Sequence, residues 1–186
     1  MPCPLGGEGS AAFQVREIRV RAEASHDLAS VHEVLVQAFP SEAEAKLVER
    51  LRGHTDPQIS LVAENEAGQV VGHILFTPVE ISSSSENATA MGLAPMAVLP
   101  TFQRQGIGSA LVEAGLSACL AAGAPVVVVL GHPSYYPRFG FKLAWDVGLF
   151  YESPGANPAF MVQELEPGAL RGRSGEVRYH AAFNSV

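Results

Sequence analysis

The stretch MAVLPTFQRQGIGSALV, residues 96–112, places two closely spaced glycines between an apolar run and a helical pattern. A strand that ends at Leu99 and a helix that begins near Gln105 would leave several backbone N–H groups unpaired at one helix N-terminus. Such a helix end carries partial positive charge and binds phosphate. Gly106 and Gly108 would let a phosphate reach the backbone, because neither has a side chain in the way. The stretch therefore predicts a phosphate-binding turn between a strand and a helix.

Known phosphate-binding patterns and one packing explanation compete for this glycine-rich turn. A P-loop is excluded because no Gly-Lys-Ser/Thr follows the glycines, so no lysine reaches a terminal phosphate. A Rossmann fingerprint is excluded because Leu111 stands where the third glycine would be. The pattern Gln/Arg-x-x-Gly-x-Gly/Ala remains, filled by Gln103, Gly106 and Gly108. A helix start whose glycines only permit close packing also remains.

The composition indicates one domain with an acidic charge balance. The chain has 186 residues, of which 47% are hydrophobic, and this is enough for a single core. We expect a flexible leader over residues 1–12 and a single domain over residues 13–186. The formal net charge is -7, and lysine and arginine form no cluster, which argues against a nucleic-acid surface. The same charge would attract a cationic substrate.

Cysteine, histidine and the apolar runs argue against other classes of site. Cys3 and Cys119 lack the spacing of a zinc site or a disulfide framework, and a reducing cytoplasm is expected. The histidines show no metal-ligand spacing, so no metal is expected. Residues 114–137 contain no Asp, Glu, Lys or Arg, but Gly123 and Pro125 interrupt this segment, and no membrane span is predicted.

Hydrophobic periodicity predicts an α/β fold with a mixed sheet and helices on its faces. Ser41 and Glu44 predict a capping box at the second helix. The third helix is predicted to bury one face, formed by Ile107, Ala110, Leu111, Ala114, Ala118 and Ala121. The predicted strands cover residues 13–21, 59–64, 70–77, 92–99, 125–130, 141–144, 159–165 and 176–183, and the predicted helices cover residues 28–38, 41–51, 105–122 and 134–139.

Two ordered motifs resemble those of a known family. MAVLPTFQRQGIGSALV resembles the acetyl-CoA-binding motif of the GNAT superfamily of N-acetyltransferases, and YYPRFGF, residues 135–141, resembles the family's Y-x-x-x-G-F segment after the fifth strand. The predicted order of elements resembles the family over residues 13–144. Within the superfamily the chain is similar to an uncharacterised bacterial group of predicted acetyltransferases that carry segments like VVGHILF, residues 70–76.

The resemblance implies a fold, an activity and a set of cofactor-binding residues. The fold would be a mostly antiparallel mixed sheet of about six to eight strands, with helices on both faces and splayed fourth and fifth strands. The activity would be direct transfer of an acetyl group from acetyl-CoA to a primary amine of a small molecule or peptide. Backbone amides would hold the pyrophosphate, and the fourth strand would pair with the pantetheine amides, with Val98 N–H polarising the thioester carbonyl. The implied cofactor-binding residues are Met96, Ala97, Val98, Gln103, Arg104, Gln105, Gly106, Ile107, Gly108 and Ser109.

The resemblance also implies a catalytic tyrosine. Tyr136 would protonate the departing thiolate, and Tyr135, one residue out of register, is its rival. A phenol of pKa near 10 gives its proton to a thiolate whose conjugate acid lies near about 8.5 only if the two are placed close together. A tyrosine in this setting also fits a packed core position. The preceding loop GHPS, residues 131–134, is shorter than the family's, so the family's asparagine contact is not carried over, and Ser134 is its substitute.

The acceptor end of the site has no motif. His132 is the leading candidate for the base that deprotonates the amine, ahead of His73 and Glu80, and water is the alternative. The acceptor is expected near residues 39–44, where acidic side chains would receive a cation. Residues beyond Ala144 would complete the sheet, cover the acceptor site or mediate a homodimer. A non-catalytic module that binds acyl-CoA is the competing functional class.

Overall fold

The computed structural model of the chain describes residues 17–82 and 90–185. The predicted leader, residues 1–12, and the start of the predicted strand 13–21 lie outside the described residues. The helices are α1 (Leu28–Ala38), α2 (Ala43–Leu51) and α3 (Ile107–Ala121). The strands are β1 (Ile18–Ala22), β2 (Ile59–Asn65), β3 (Val70–Ile81), β4 (Ala90–Val98), β5 (Val126–Leu130), β6 (Lys142–Leu143), β7 (Leu149–Phe150), β8 (Phe160–Glu164) and β9 (Gly175–Arg178).

The strands form one mixed sheet that is mostly antiparallel. Its main path runs β1-β2-β3-β4-β5-β8-β6, and β9 pairs with the end of β3 and with β7. The pairs β4–β5 and β7–β9 are parallel, and the other pairs are antiparallel. This confirms the predicted fold class. The described part of the chain holds nine strands rather than about six to eight, because the two-residue strand β7 is too short to give an alternating pattern.

Helices cover both faces of the sheet, and α3 lies very close to β3. A Cβ built on Gly115 of α3 would stand 2.2 Å from the ring of Phe76, and one built on Gly72 would stand 3.0 Å from Leu111. Because side chains alternate along a strand, His73 points to the opposite face. Its partners there lie near the end of α2, where Arg52 contacts Glu23. The two faces therefore carry different helices, as predicted.

Two predicted helical details are wrong. Helix α2 begins at Ala43, and the Ser41 hydroxyl accepts the Ala43 N–H at 3.2 Å, so Ser41 and Glu44 form no capping box. The buried face of α3 consists of Ile107, Leu111, Val112, Gly115, Leu116 and Cys119, so two of the predicted residues are buried and the four predicted alanines are not. The helix is rotated because Gly115 is the residue that fits against Phe76.

Two strand pairings, of β9 with β3 and of β9 with β7, fix the position of the C-terminal segment. Glu80 and Ile81 of β3 pair with Arg178 and Val177 of β9, beyond the point where β2 ends. The predicted strand 176–183 is too long, because the chain leaves the sheet after Arg178 and enters a 3-10 turn, Ala181–Ser185. The predicted helix 134–139 is also a shorter 3-10 turn, Tyr136–Phe139. No helix in the described ranges is long and apolar enough to cross a membrane.

Candidate active site

Strands β4 and β5 part in the middle of the sheet. They pair from Ala90 to Leu93 of β4, and β4 then continues to Val98 without pairing to β5. At the point of separation the register between β3 and β4 shifts, so that Ala94 and Pro95 lie opposite Leu75 alone. Such a bulge bends a strand and increases its twist. The sheet is therefore open between the two strands, as the predicted splay requires.

The open edge of β4 presents backbone groups of alternate residues. The Leu99 N–H donates to Val71 O at 2.9 Å, and in an antiparallel pair this bonding recurs at every second residue. Ala97 therefore bonds to β3, whereas the N–H and C=O groups of Met96 and Val98 point away from β3. The Gln103 side-chain amide donates to Val98 O at 3.0 Å. On the open edge, the N–H of Val98 therefore remains available to a ligand, whereas its carbonyl oxygen is already hydrogen-bonded.

The turn into α3 is built from left-handed backbone. Arg104 has φ 59° and Gly106, the N-cap of α3, has φ 86°. No side chain caps the helix, and the first intrahelical bond described at this end runs from Ala110 N–H to Gly106 O at 3.0 Å. The N–H groups at the start of the helix, those of Ile107, Gly108 and Ser109, therefore have no intrahelical acceptor. A helix N-terminus of this kind is able to bind an anion.

A cavity of about 1030 Å³ lies between the open edge of β4, the α3 turn and the segment after β5. Most of the predicted site residues line it: Met96, Val98, Gln103, Arg104, Gly106, Gly108, Ser109, His132, Ser134 and Tyr136. Three others do not. The Ala97 side chain is 3% exposed, Ile107 packs in the core, and the Gln105 amide donates to Thr101 O at 3.1 Å. For Ala97 and Ile107, which are buried, only the backbone remains available to a ligand.

Tyr136 is a buried wall of the cavity. It is 6% exposed, and its ring meets Phe141 edge-on at 5.6 Å between centroids. A Cβ built on Gly131 would stand 2.3 Å from the Tyr136 ring, so glycine there makes room for the tyrosine. Burial raises the pKa of Tyr136 above its ordinary value. The phenol therefore stays protonated at neutral pH.

Tyr135 reaches the first turn of α3. Its hydroxyl oxygen lies 2.8 Å from where a Cβ on Gly108 would be, and the Met96 side chain lies next to the same position. The Arg138 guanidinium lies 4.6 Å from the centroid of the Tyr135 ring. Glycine at position 108 therefore leaves room for the Tyr135 hydroxyl as well as keeping the start of the helix accessible. Tyr135 joins the segment after β5 to the predicted phosphate-binding turn.

Only one of the three predicted bases lines the cavity. His132 is exposed there, and its carbonyl accepts the Tyr135 N–H at 2.9 Å. His73 is fully buried elsewhere, with Ser60 Oγ 2.8 Å from its Nε2, and Glu80 is exposed near β9. Neither of these lines the cavity. Over the described ranges, no group of His, Cys, Asp or Glu is arranged to hold a metal ion.

Six further lining residues carry no sequence motif. Phe39, Glu44 and Leu47 come from α2 and the segment before it, and Tyr151, Tyr179 and Phe183 come from the C-terminal part of the chain. The first group falls in or near the predicted acceptor region, residues 39–44. Apart from their aromatic character, no sequence feature marks the residues of the second group as part of a site, because their position depends on the pairing of β9 with β3. The C-terminal segment therefore covers part of the cavity.

The chain is similar to known acetyltransferases over most of its length. A family model described as an acetyltransferase (GNAT) domain matches residues 19–144. The uncharacterized N-acetyltransferase YhbS of Escherichia coli K12 is 39% identical over 165 residues, which are 89% of this chain and 98% of YhbS. The uncharacterized N-acetyltransferase YjhQ of the same strain is 37% identical over 156 residues, with 78% of this chain and 84% of YjhQ covered.

Two solved structures of GNAT proteins have the same fold and bind CoA or acetyl-CoA. The crystal structure of E. coli YhbS in complex with CoA matches with a TM-score of 0.84 and 38% identity, covering 91% of this chain and 93% of that one. A GNAT acetyltransferase from Brucella melitensis in complex with acetyl-CoA matches with a TM-score of 0.72 and 35% identity, covering 90% and 99%. The open β4 edge, the uncapped α3 turn and these matches agree, and the chain belongs to the GNAT family of N-acetyltransferases.

Proposed function

We propose that the protein transfers the acetyl group of acetyl-CoA directly to a primary amine of a small molecule or peptide. One observation carries the proposal: a single cavity of about 1030 Å³ is lined by the α3 turn, the open edge of β4 and Tyr136. An anion site, a strand edge and a buried proton donor are the three elements that this reaction needs from the chain. The similar proteins YhbS and the Brucella acetyltransferase, which bind CoA and acetyl-CoA, support the choice of acetyl donor.

The chain's residues fit a pyrophosphate joined to an extended arm with amide groups. The uncapped N–H groups at the start of α3 would bind the pyrophosphate, helped by the charge of Arg104. Met96 would offer an N–H and a C=O to the arm, as a neighbouring strand does. Val98 would offer its N–H alone, because Gln103 already occupies its carbonyl. Ser134 lines the same cavity and would bind the arm from the other side.

The proposed reaction forms an amide and releases a thiol. When bound, acetyl-CoA supplies the thioester whose C–S bond breaks as the amine nitrogen bonds to the carbonyl carbon. The Val98 N–H would stabilise the negative charge that develops on the carbonyl oxygen. Tyr136 would donate its hydroxyl proton to the sulfur. The attacking ammonium loses two protons in total: one restores Tyr136 and the other leaves to solvent.

Two observations support direct attack by the amine. Cys119 is buried within α3, and burial raises the pKa of its thiol to about 12, so it is a poor nucleophile at neutral pH. It also does not line the cavity. His132 is exposed in the cavity wall and would accept the proton of the amine, directly or through water.

Substitution of Tyr136 by Phe tests the proposal. With acetyl-CoA and a panel of peptides, amino acids, polyamines, aminoglycosides and aromatic amines, the wild type is expected to release thiol in an acceptor-dependent manner. Tyr136→Phe should lower kcat by about a hundredfold or more, because it removes the proton donor. Acetyl-CoA affinity, measured by calorimetry, should change little, because the ring remains.

Tyr135→Phe is the matched control, since it removes the neighbouring hydroxyl. It is expected to alter kcat much less than Tyr136→Phe does. The opposite ranking would assign proton donation to Tyr135. If the wild type binds acetyl-CoA but releases no thiol with any acceptor, the proposed reaction is wrong and a module that only binds acyl-CoA is favoured.

A further inference from the structure

The cavity has an uneven distribution of charge. Glu44 is the one carboxylate among its lining residues in the described ranges, whereas Arg104 and Arg138 supply positive charge. Both arginines come from segments that adjoin the phosphate-binding turn: Arg104 precedes α3, and Arg138 stacks on Tyr135. Glu44 comes from the first turn of α2. The residues that favour an anion and the residue that favours a cation therefore belong to different walls.

Two polar atoms of the lining residues are buried without partners. The Oε2 atom of Glu44 and the hydroxyl oxygen of Tyr179 have almost no solvent contact and no hydrogen-bond partner among the described residues. A buried polar group without a partner is costly, and a charged one more so. A ligand that donates a hydrogen bond to either residue would supply the missing partner. An ammonium group has three donors and no acceptor, and it matches the carboxylate in charge.

The surroundings of Glu44 are apolar and aromatic. Phe39 and Leu47 line the cavity from the α2 side. The Tyr179 ring lies 5.0 Å from that of Phe183 and 5.5 Å from that of Tyr151, measured between centroids. The 3-10 turn that carries Phe183 packs against α2. Such walls offer hydrophobic contact and ring faces, and they offer no second carboxylate.

We infer that the acceptor is a monoamine with an apolar or aromatic body, and that Glu44 binds its ammonium group. The inference rests on the proposed function, because it names the acceptor of that reaction. A polyamine or an aminoglycoside carries several cations, and a single carboxylate among apolar walls leaves most of them unpaired. An α-amino acid brings a carboxylate beside its amine, which Glu44 repels. A monoamine such as phenethylamine fits both the charge and the walls.

A comparison of Glu44→Gln with Glu42→Gln tests the inference. Gln keeps the shape of Glu44 but removes its charge, so the KM for phenethylamine should rise by about tenfold or more. The KM for acetyl-CoA should change by less than about twofold, since the cofactor binds other residues. Glu42, whose side chain is 57% exposed, is two residues away and outside the cavity. Its substitution should leave both KM values unchanged, which controls for a general change at the start of α2.

The outcomes separate this inference from the proposed function. A preference for spermidine or an aminoglycoside over phenethylamine, or an unchanged amine KM in Glu44→Gln, overturns the inference and leaves the proposed function standing. If no acceptor releases thiol, the proposed function fails. Calorimetry of phenethylamine binding in the presence of CoA then decides the inference: binding to the wild type that is lost in Glu44→Gln supports it, and absence of binding to the wild type overturns it.

Discussion

Two glycines that look alike in the sequence differ in what requires them. At Gly106 there is room for a side chain, because nothing lies within 4 Å of a Cβ built there, but its φ of +86° is unfavourable for other residues. Gly108 has helical backbone, but a Cβ there would stand 2.8 Å from the Tyr135 hydroxyl. The sequence motif predicts both glycines and their place before a helix. It does not predict the Tyr135 contact, because that contact depends on how the segment after β5 packs.

Replacement of Gly106 by Leu is expected to weaken acetyl-CoA binding by at least about tenfold, because the side chain would enter the space in front of the helix N-terminus. The backbone strain should cost about 1–2 kcal/mol of stability, so the protein remains folded. Calorimetry with acetyl-CoA and a thermal melt measure the two effects.

Gly68→Leu is the control for strain alone. Gly68 has φ +75°, also has nothing within 4 Å of its Cβ position, and lies in the turn between β2 and β3. A similar loss of stability with unchanged acetyl-CoA affinity is expected. Full acetyl-CoA affinity in folded Gly106→Leu would contradict the assigned phosphate-binding turn.

At the scale of elements, α3 shows what periodicity predicts and what it misses. Its position and its ends were predicted to within two residues, because Gly106 and Gly123 flank a long helical pattern. Its buried face was predicted only in part, because Ile107 and Leu111 are buried but the four predicted alanines are not. Alanine is compatible with either side of a helix, and the deciding contact is the Phe76 ring against Gly115, on an element more than thirty residues away. The type of each element follows from the local sequence pattern, whereas the side of a helix that is buried depends on the surface against which the helix packs.

Gly115→Ala is expected to lower the free energy of unfolding by about 1–3 kcal/mol, because the added methyl group overlaps the Phe76 ring. The sign is informative, since Gly→Ala in a helix interior otherwise stabilises by about 1 kcal/mol. Urea denaturation measures the change. The double variant Gly115→Ala/Phe76→Leu should lose less stability than the sum of the losses in the two single variants. Strict additivity of the two would show that this contact does not set the position of α3.

At the scale of the whole molecule, a buried polar network joins several elements. Glu23, just after β1, accepts hydrogen bonds from Ser60 of β2 and from Arg52 after α2, the latter at 2.5 Å. His73 of β3 adjoins the same carboxylate and is fully buried. Burial alone would raise the pKa of Glu23, but the nearby His73, the hydrogen bond from Ser60 and the charge of Arg52 lower it to about 2. Burial lowers the pKa of His73 below its ordinary value.

Acidification is therefore expected to destabilise the fold. Below about pH 6.5, His73 takes up a proton more readily in the unfolded chain than in the folded protein, so the free energy of unfolding decreases as the pH is lowered. The contribution of Glu23 is present above its ordinary pKa of about 4.5 and is lost as the pH falls toward 2, a change of about 2–3 kcal/mol. Urea denaturation at pH 7, 5.5, 4 and 3 measures the slope.

Glu23→Gln should flatten the part of this curve below about pH 5, because the titrating carboxylate is gone. Glu113→Gln, at an exposed position of α3, should leave the curve unchanged. An unaltered acid slope in Glu23→Gln would show that other carboxylates dominate the acid sensitivity.

The sequence was more informative about the acetyl-donor end of the site than about the acceptor end. Seven of the ten predicted site residues that line the cavity belong to the contiguous motif 96–112, and the other three belong to the segment after β5. The proposed acceptor end is assembled from α2 and from residues about one hundred or more positions further along the chain, such as Tyr151 and Phe183. No local pattern joins such segments, because only the pairing of β9 with β3 brings them together.

The unpaired edge of β4 has a consequence for the behaviour of the protein at high concentration. Exposed strand edges at the rim of a sheet can pair with another chain and lead to aggregation. Here the edge at Met96 and Val98 belongs to a strand in the interior of the sheet order, with β3 on one side and β5 diverging on the other. A strand of a second folded molecule would have to enter the gap between β4 and β5 to pair there. We therefore expect this edge to pair with an extended small molecule and not to template polymerisation.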